Sequence, residues 1–330
     1  MSKNLLKKIH FINKPNQEGG PGTFLNNFIE MLNKKKIDYE FYRNGPKPEI
    51  IFVLSGTITK LHWLIYQKLR GAKIIQRVDG HFWQHNYISK GIKDYLYSNL
   101  VNTNIKFIMR FLANKIIFQS TYVKNIWKKV NVKNKGVYTI YNYSKKIIKR
   151  KINQKSNIKL ICVEGNFDSV FNIENHLNLI KNYPIYLYGD CSIETKKKLK
   201  KIKNLKYMGS RKREKILEIY KTKEKIIYLN LEFCAAGSNS VIEAMSHSVP
   251  IIGFKTGCMK EFVNKKSGIL VDYKIKEFNN KKYLNNLDIE KKIGNIEKKY
   301  EYYSNGAYDT AKKIFCKKKN FLSYINAIYN

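Results

Sequence analysis

The chain has 330 residues, which at about 150 residues per domain suggests two domains. Hydrophobic residues make up 43% of it and aromatic residues 13%, so it can bury enough apolar surface to fold and is not intrinsically disordered. The net charge of +38 would attract anionic partners such as membrane surfaces, nucleic acids or charged substrates.

The sequence leaves two origins of that charge open. Of the 63 basic residues, 56 are Lys and 7 are Arg, and the abundant residues Lys, Asn, Ile and Tyr can all be encoded by A/T-only codons. Genome composition therefore explains the positive charge as well as a function at the surface of an anionic partner does. A dedicated nucleic-acid reader more often uses Arg, whose planar fork binds bidentately. Since RRM, KH and zinc signatures are also missing, no nucleic-acid partner is expected.

The five cysteines include no CxxC pair and no His/Cys pattern with zinc spacing, which predicts reduced, mostly structural thiols. The first ten residues lack the apolar stretch of a signal peptide, and the chain has no run of 18 apolar residues. These features predict a cytoplasmic protein without a transmembrane helix.

Short apolar runs alternate with amphipathic segments, a pattern that predicts βαβ units and parallel sheets. In chain order, the first half is predicted to contain a strand at Lys8–Ile12, a turn at Glu18–Gly22, a helix at Thr23–Asn33, strands at Tyr39–Tyr42 and Glu49–Leu54, a helix at Thr59–Leu69, strands at Ala72–Val78 and Lys115–Gln119, a helix at Tyr122–Val130 and a strand at Val137–Tyr141.

A break rich in charge, at Lys145–Asn157, predicts a boundary between an N-terminal domain 1–150 and a C-terminal domain 151–330. The predicted elements after it are strands at Ile158–Val163, Ile185–Tyr188, Leu205–Met208, Lys225–Leu229, Val249–Phe254 and Gly268–Val271, and helices at Asn172–Lys181, Ser192–Ile202, Arg213–Tyr220 and Ser240–Ser246. The Lys-rich remainder is predicted to be helical and to pack back toward the first domain. The expected fold is α/β, with two doubly wound, Rossmann-like domains that face a central cleft.

Two candidate sites lie in the first half. Gly19 and Gly20 stand between a predicted strand and helix, where backbone N–H groups can approach an anion, although the third Gly of a dinucleotide fingerprint is missing. A plain tight turn explains these glycines equally well. Asp79 and His81 follow a buried strand, where an α/β sheet presents reactive groups. The alternative for this pair is a helix cap and a surface histidine.

The strongest signal is the run from Ser238 to Phe254. The polar residues Ser238, Asn239 and Ser240 open a helix whose N–H groups can hold phosphate or sugar oxygens. Glu243 stands about one turn into this helix, where a carboxylate can accept two hydrogen bonds from a ribose. An ordinary exposed carboxylate is the alternative.

This run resembles the donor-binding segment of retaining GT-B glycosyltransferases, specifically glycosyltransferase family 4. The matching letters are N-S-V-I-E-A-M-S-H-S-V-P-I-I-G-F-K-T-G, followed by Glu261-Phe262-Val263 and Ser267-Gly268-Ile269-Leu270-Val271. The likeness is specific between about 230 and 272 and loose over the rest of the chain. It implies the GT-B fold, a nucleotide-sugar donor and a glycan or lipid-linked acceptor. In its terms Glu243 would bind the donor ribose, and His81 or Asp79 would face the donor sugar.

The sequence departs from the family pattern at two places. The first of the family's two glutamates would fall at Ala235, and Glu232 lies three residues too early. The bases that the family places after the first strand of the second domain are missing at Glu164–Asp168, so Arg211, Lys212 and Arg213 are the candidates to hold a diphosphate. These departures leave a catalytically lapsed, glycan- or nucleotide-binding protein as the alternative function.

The resemblance implies a front-face transfer with retention, because the sequence offers no obvious nucleophile. Negative charge builds on the leaving diphosphate, and cations and helix N–H dipoles can stabilise it. No DxD pair stands at a strand end, so neither a metal nor another cofactor is expected. The segment Asn104–Lys115 is basic and amphipathic, which suits either a core-packed helix, the interpretation preferred here, or a helix on an anionic membrane surface.

Overall fold

The structure is a computed structural model that describes residues 7–14, 19–41, 48–81, 91–132, 135–274, 284–285 and 287–330. The chain divides into two compact units, one made of Met1–Asn142 with Lys318–Asn330 and one made of Tyr143–Lys317. The division lies a few residues before the predicted boundary at 150. None of the helices in the described ranges is long and apolar enough to cross a membrane.

The first unit is built on a sheet of parallel strands flanked by helices. Its elements are β1 (Ile9–Phe11), α1 (Gly19–Lys34), β2 (Tyr39–Phe41), β3 (Ile50–Leu54), α2 (Leu61–Leu69), β4 (Lys73–Val78), α3 (Ile92–Phe107) with a π-helical continuation at Ile108–Leu112, β5 (Lys115–Phe118), α4 (Thr121–Ile126) and β6 (Gly136–Thr139). The strand order is β2-β1-β3-β4-β5-β6, and each neighbouring pair is parallel. The last helix of the chain, Lys317–Tyr329, completes the unit from its second residue on.

The second unit repeats this architecture. Its elements are β7 (Ile158–Asn166), a 3-10 turn (Phe167–Ser169), α5 (Ile173–Asn178), β8 (Ile185–Asp190), α6 (Ile193–Leu199), β9 (Leu205–Tyr207), α7 (Arg213–Lys221), β10 (Lys225–Asn230), α8 (Asn239–Ser246), β11 (Ile251–Phe254), α9 (Met259–Phe262), β12 (Gly268–Val271), α10 (Ile289–Lys298) and α11 (Tyr300–Ile314). The strand order is β12-β11-β10-β7-β8-β9, again all parallel. The helix Lys317–Tyr329 is therefore α12.

The periodicity placed most elements to within a few residues, because strands buried on both faces read as continuous apolar runs. Strand β3, Ile-Ile-Phe-Val-Leu, is one such run, and four of its five residues are buried. The prediction was wrong at Gly19–Gly22, where the expected turn is the first turn of α1. Pro21 is compatible with this position, since a proline in the first helical turn loses no intrahelical hydrogen bond. Glu18 lies outside the described residues.

The five cysteines are free, in accord with the prediction of reduced thiols. Cys162 and Cys258 are buried, and burial raises the pKa of each thiol. Protonated, buried thiols behave as small apolar side chains, so these two contribute to packing.

The basic stretch before β7 packs into the second unit. Arg150 is buried, and its guanidinium donates to the carbonyl oxygens of Thr222, Glu224 and Ser248 and to the Tyr300 hydroxyl. Such a bonded cation fixes the backbone on both sides of it. The charge density that predicted a linker around 150 therefore belongs to the second unit.

Arg77, at the carboxyl end of β4, organises the core of the first unit. Its guanidinium pairs with Asp79 and donates to Gln119 Oε1 at 3.0 Å and to Asn142 Oδ1 at 2.7 Å. Its Nε donates to the Tyr324 hydroxyl of α12 at 3.2 Å. Because these partners come from distant parts of the chain, one buried cation ties α12 to the sheet.

Aromatic packing reinforces the same junction. The Arg77 guanidinium lies 3.8 Å from the ring centroid of Phe24 on α1, a cation–π contact. The rings of Phe24 and Tyr324 are 5.1 Å apart, and Phe28 packs against Phe321 at 5.5 Å. Helices α1 and α12 therefore share one apolar surface with the sheet.

We expect Arg77→Ala to destabilise the first unit by about 3–5 kcal/mol, since it leaves the mostly buried Asp79 carboxylate without its cation and the buried Gln119 and Asn142 side-chain oxygens without their donor. The melting temperature of that unit should fall by roughly 6 °C or more in calorimetry. Arg70→Ala is the matched control: Arg70 is exposed, lies over the Tyr66 ring, and should change stability by less than about 0.5 kcal/mol. Equal melting of the two variants would contradict the role given to Arg77.

Candidate functional site

The start of α8 has the polar character expected from the sequence. Ser238 caps the helix: its Oγ accepts a hydrogen bond from the Val241 N–H and lies 2.9 Å from the Ser240 Oγ. Asn239 is the first helical residue. A capped N-terminus with two hydroxyls and the positive end of the helix dipole is a suitable place for phosphate or sugar oxygens.

Glu243 stands one turn further along and is held in place. Only 8% of it is exposed, and its Oε1 lies 2.5 Å from the Arg213 guanidinium. Burial raises the pKa of Glu243, while the Arg213 charge and hydrogen bond oppose this shift. The ordinary exposed carboxylate that the sequence left as an alternative is therefore excluded. A buried carboxylate with one oxygen paired can offer the other to a ligand hydroxyl.

The three basic residues at the start of α7 have different surroundings. Arg213 opens α7 and contacts Glu243, whereas Arg211 and Lys212 are exposed beside it. Burial raises the pKa of the Tyr188 phenol at the end of β8, and the nearby Arg211 charge opposes this. Arg211 thus lies near the carboxyl end of β8, where a diphosphate can approach the sheet edge.

Ala235, the position of the missing glutamate, is fully buried in the loop before α8. Its carbonyl accepts a hydrogen bond from the Cys258 N–H at 2.8 Å. Gly257 lies against it with φ of +56°, and a Cβ added there would lie 2.5 Å from the Ala235 carbonyl oxygen. Such close backbone packing fixes the loop, and the side chain at 235 contributes no polar atom to the site.

Two acids that the sequence did not single out as a pair lie at the carboxyl ends of neighbouring strands and interact electrostatically. Glu164 lies near the end of β7, and Glu232 follows β10, the strand paired with β7. Burial and the Glu232 charge raise the pKa of Glu164, and burial raises the pKa of Glu232 to about 7. Two partly exposed carboxyl groups whose charges interact on neighbouring strands cannot both ionise without cost, so the pair retains a proton near neutral pH.

The strand crossover explains why sequence reasoning missed this pair. Strands β7 and β10 are neighbours in space, but β8 and β9 lie between them in the chain. Only a correct guess of the strand order would have placed the two glutamates together. Among the described residues, no group of three or more His, Cys, Asp or Glu side chains has an arrangement that could hold a metal ion.

Asp79 and His81 belong to the first unit. Asp79 pairs with Arg77, and the Gln119 side-chain amide donates to the Asp79 carbonyl oxygen. The His81 ring is partly buried, with its centroid 5.3 Å from that of Trp127. The segment after β4 is thus held by several side-chain contacts, and Asp79 is an ion-paired carboxylate.

The remaining predicted residues lie in separate parts of the chain. Gly19 and Gly20 form the first turn of α1 in the first unit, whereas Ser238, Ser240, Glu243 and Arg213 come together in the second. The structure therefore gathers one compact polar cluster, at the start of α8.

Comparison with known proteins gives a clear result for the fold. No protein-family model and no curated protein sequence matches this chain. Sucrose-phosphate synthase from Thermosynechococcus elongatus superposes with a TM-score of 0.75 at 11% identity, over 97% of this chain and 98% of that one. Anabaena HepE, solved with UDP and glucose, gives 0.68 at 13% identity over 97% and 99%. The lipopolysaccharide outer core galactosyltransferase WaaB gives 0.67 at 13% identity over 98% and 99%.

The chain has the GT-B fold. The fold expected from the sequence is confirmed, and one of these structural neighbours, WaaB, is a galactosyltransferase. At identities of 11–13% the likeness concerns the fold, so the chemistry has to be argued from the side chains of this chain.

The electrostatic coupling of Glu164 and Glu232 predicts a pH dependence of stability. Because the pKa of Glu232 is raised to about 7, the folded chain binds a proton that the unfolded chain has lost above about pH 4.5. The free energy of unfolding of the second unit should therefore fall as the pH rises from about 4.5 to 7.

In Glu232→Gln this fall should be smaller, and at pH 8 the variant should be the more stable protein by on the order of 2 kcal/mol. Chemical denaturation across the pH range measures both quantities. Glu301→Gln, at an exposed carboxylate of the same unit, should retain the wild-type slope. An unchanged slope in Glu232→Gln would show that the two acids do not share a proton.

Proposed function

We propose that the protein is a retaining, nucleotide-sugar-dependent hexosyltransferase that acts on a glycan or lipid-linked acceptor in the synthesis of cell-surface polysaccharide or glycoconjugate. The observation that carries the proposal is the buried Glu243 carboxylate, fixed by Arg213 one turn behind the polar N-terminus of α8. Known GT-B structures support it, since HepE has been solved with UDP and glucose and also with UDP-glucose.

Donor binding is assigned to α8 and the basic run before α7. Glu243 accepts hydrogen bonds from the ribose hydroxyls, and Arg213 orients its carboxylate and opposes the rise of its pKa on burial. Ser238, Asn239 and Ser240 present hydroxyl, amide and backbone N–H donors to phosphate or sugar oxygens. Charge-assisted hydrogen bonds of this kind are roughly twice as strong as neutral ones, which favours a negatively charged nucleotide over an uncharged sugar.

The leaving diphosphate is stabilised by fixed cations and dipoles. Arg211 and Lys212 are exposed near the sheet edge, and the helix N-terminus adds a partial positive charge. Negative charge that develops on the departing phosphate oxygen is met by groups already in position, the arrangement that lowers such barriers most. In this proposal these groups carry the stabilisation without a metal ion.

The transfer step is assigned to Asp79 and His81, which follow β4. Asp79 is held by Arg77, and His81 lies two residues beyond it. In the proposed front-face reaction His81 contacts the sugar as positive charge develops at the anomeric carbon. The bond from the anomeric carbon to the diphosphate oxygen breaks, the acceptor hydroxyl attacks from the same side, and its proton passes to the departing phosphate oxygen. No covalent intermediate with the protein forms in this scheme.

The proposed place of action is the cytoplasmic side of a membrane. A glycan or lipid-linked acceptor for cell-surface synthesis is presented there, and the net charge of +38 favours an anionic surface. The segment 104–115 was expected either to pack in the core or to lie on a membrane. Ile105, Ile108 and Leu112 are buried in the core, and of the four apolar residues of its predicted face Phe111 is exposed.

We expect Glu243→Ala to weaken the binding of UDP-sugars about ten- to a hundredfold, because it removes a charged hydrogen-bond acceptor. Titration calorimetry with a panel of nucleotide sugars measures this and also identifies the donor. Glu214→Ala is the matched control, since Glu214 is an exposed carboxylate next to Arg213 on α7. Unchanged donor affinity in folded Glu243→Ala would refute the assignment.

We expect His81→Ala to lower kcat by about a hundredfold or more and to change donor affinity less than about tenfold. The reason is that His81 is assigned to the transfer step, where interactions gained in the transition state act on the rate. Turnover with the donor found by calorimetry and its acceptor measures the effect. Near-normal kcat would make His81 a structural partner of Trp127 only.

A further inference from the structure

Helix α3 carries a row of apolar side chains that point away from the core. Ile92, Leu96 and Leu100 are 75%, 60% and 54% exposed, and they follow one another at four-residue spacing on one face of the helix. Phe111, in the π-helical continuation, is 57% exposed, and its ring lies 5.1 Å from that of Phe107. Phe107 itself is partly buried and packs against the core, so we call Ile92, Leu96, Leu100 and Phe111 the α3 stripe.

The orientation of the α3 stripe is fixed from the opposite side of the helix. The Asn104 side chain accepts from the Thr57 N–H at 2.9 Å and donates to the Thr57 carbonyl at 3.1 Å. The Gln76 amide donates to the Ile105 carbonyl oxygen at 3.1 Å. Because these buried contacts hold the inner face against the sheet, a small rotation cannot hide the stripe.

Charges around the stripe have one predominant sign. Lys93, Lys106 and Arg110 are exposed within 92–112, and Asp94 is the one acid in that range. The Arg110 guanidinium lies 5.2 Å from the Phe111 ring centroid, next to the apolar row. A surface that is both apolar and cationic matches a bilayer of anionic lipids, which offers acyl chains beneath negative headgroups.

An acidic protein groove is a weaker match to the same observations. Single exposed apolar residues are common on protein surfaces, but an aligned row with basic neighbours is typical of a helix that lies in the membrane interface. Tyr97, 59% exposed on the same helix, adds a residue type that is enriched at membrane–water interfaces. The net charge of +38 would hold the protein near such a surface.

We propose that the α3 stripe docks the first unit onto the surface of an anionic phospholipid membrane. This rests on the proposed function only in naming where a lipid-linked acceptor is met. The apolar row enters the interface, and the flanking lysines and arginine contact the headgroups. Lipid binding therefore needs neither donor nor acceptor.

Co-sedimentation with vesicles tests the proposal. Wild-type protein should pellet with vesicles of phosphatidylcholine mixed with phosphatidylglycerol and not with phosphatidylcholine alone. A variant with Ile92→Gln and Leu96→Gln should bind the anionic vesicles at least about tenfold less well, since it removes two side chains that enter the interface. At about 0.5 M salt the wild type should keep more bound protein than this variant, because screening weakens charge attraction and not apolar insertion.

The matched control carries Ile193→Gln and Leu322→Gln, two apolar residues outside the stripe that are 76% and 44% exposed. It should bind like the wild type, and circular dichroism should show that both variants are folded. If the stripe variant binds like the control, bulk charge alone attracts the protein and the docking surface is refuted. If the wild type binds no vesicles, the proposal also fails, while the UDP-sugar titration with Glu243→Ala still decides the proposed function separately.

Discussion

Parallel pairing of every described strand is the constraint on which the rest of this structure depends. A parallel sheet needs helices on its faces to link its strands, so both faces are largely buried and the strands are mostly apolar. It also brings the carboxyl ends of all strands to one edge. Polar groups in or just after the last residues of strands β4, β7 and β10 therefore lie at the carboxyl ends of the sheets.

Buried and partly buried arginines hold the elements around those strand ends, and each acts through a bonded partner. Arg77 joins Asp79 to helix α12, Arg150 fixes the segment before β7, and Arg213 holds Glu243. Three of the seven arginines of the chain have these roles, whereas most of the 56 lysines supply surface charge. The difference follows from chemistry, since a guanidinium can satisfy several acceptors at once in a buried site.

The carboxyl ends of β7 and β10 carry the acidic Glu164–Glu232 pair, whereas a site for phosphate alone would be expected to carry only cations and N–H donors. A proton shared by this pair reduces its negative charge near neutral pH, which makes the edge less repulsive to a diphosphate. The proposed function assigns the exposed Arg211 and Lys212 to the diphosphate. Charge balance at this edge depends on protonation as well as on the number of bases.

The sequence by itself determined the alternation of strands and helices, the two-unit architecture and the run from Ser238 to Glu243, because hydrophobic period and helix capping are local properties. The prediction misplaced the start of α1, because the glycines at 19–22 suggested a separate turn, whereas they form the first turn of the helix. Only the tertiary structure decided which base meets Glu243, that Glu164 lies beside Glu232, that α12 joins the first unit and that the α3 stripe faces outward. The physical reason is that these contacts join residues far apart in the chain, and strand order and packing, which no local pattern encodes, bring them together.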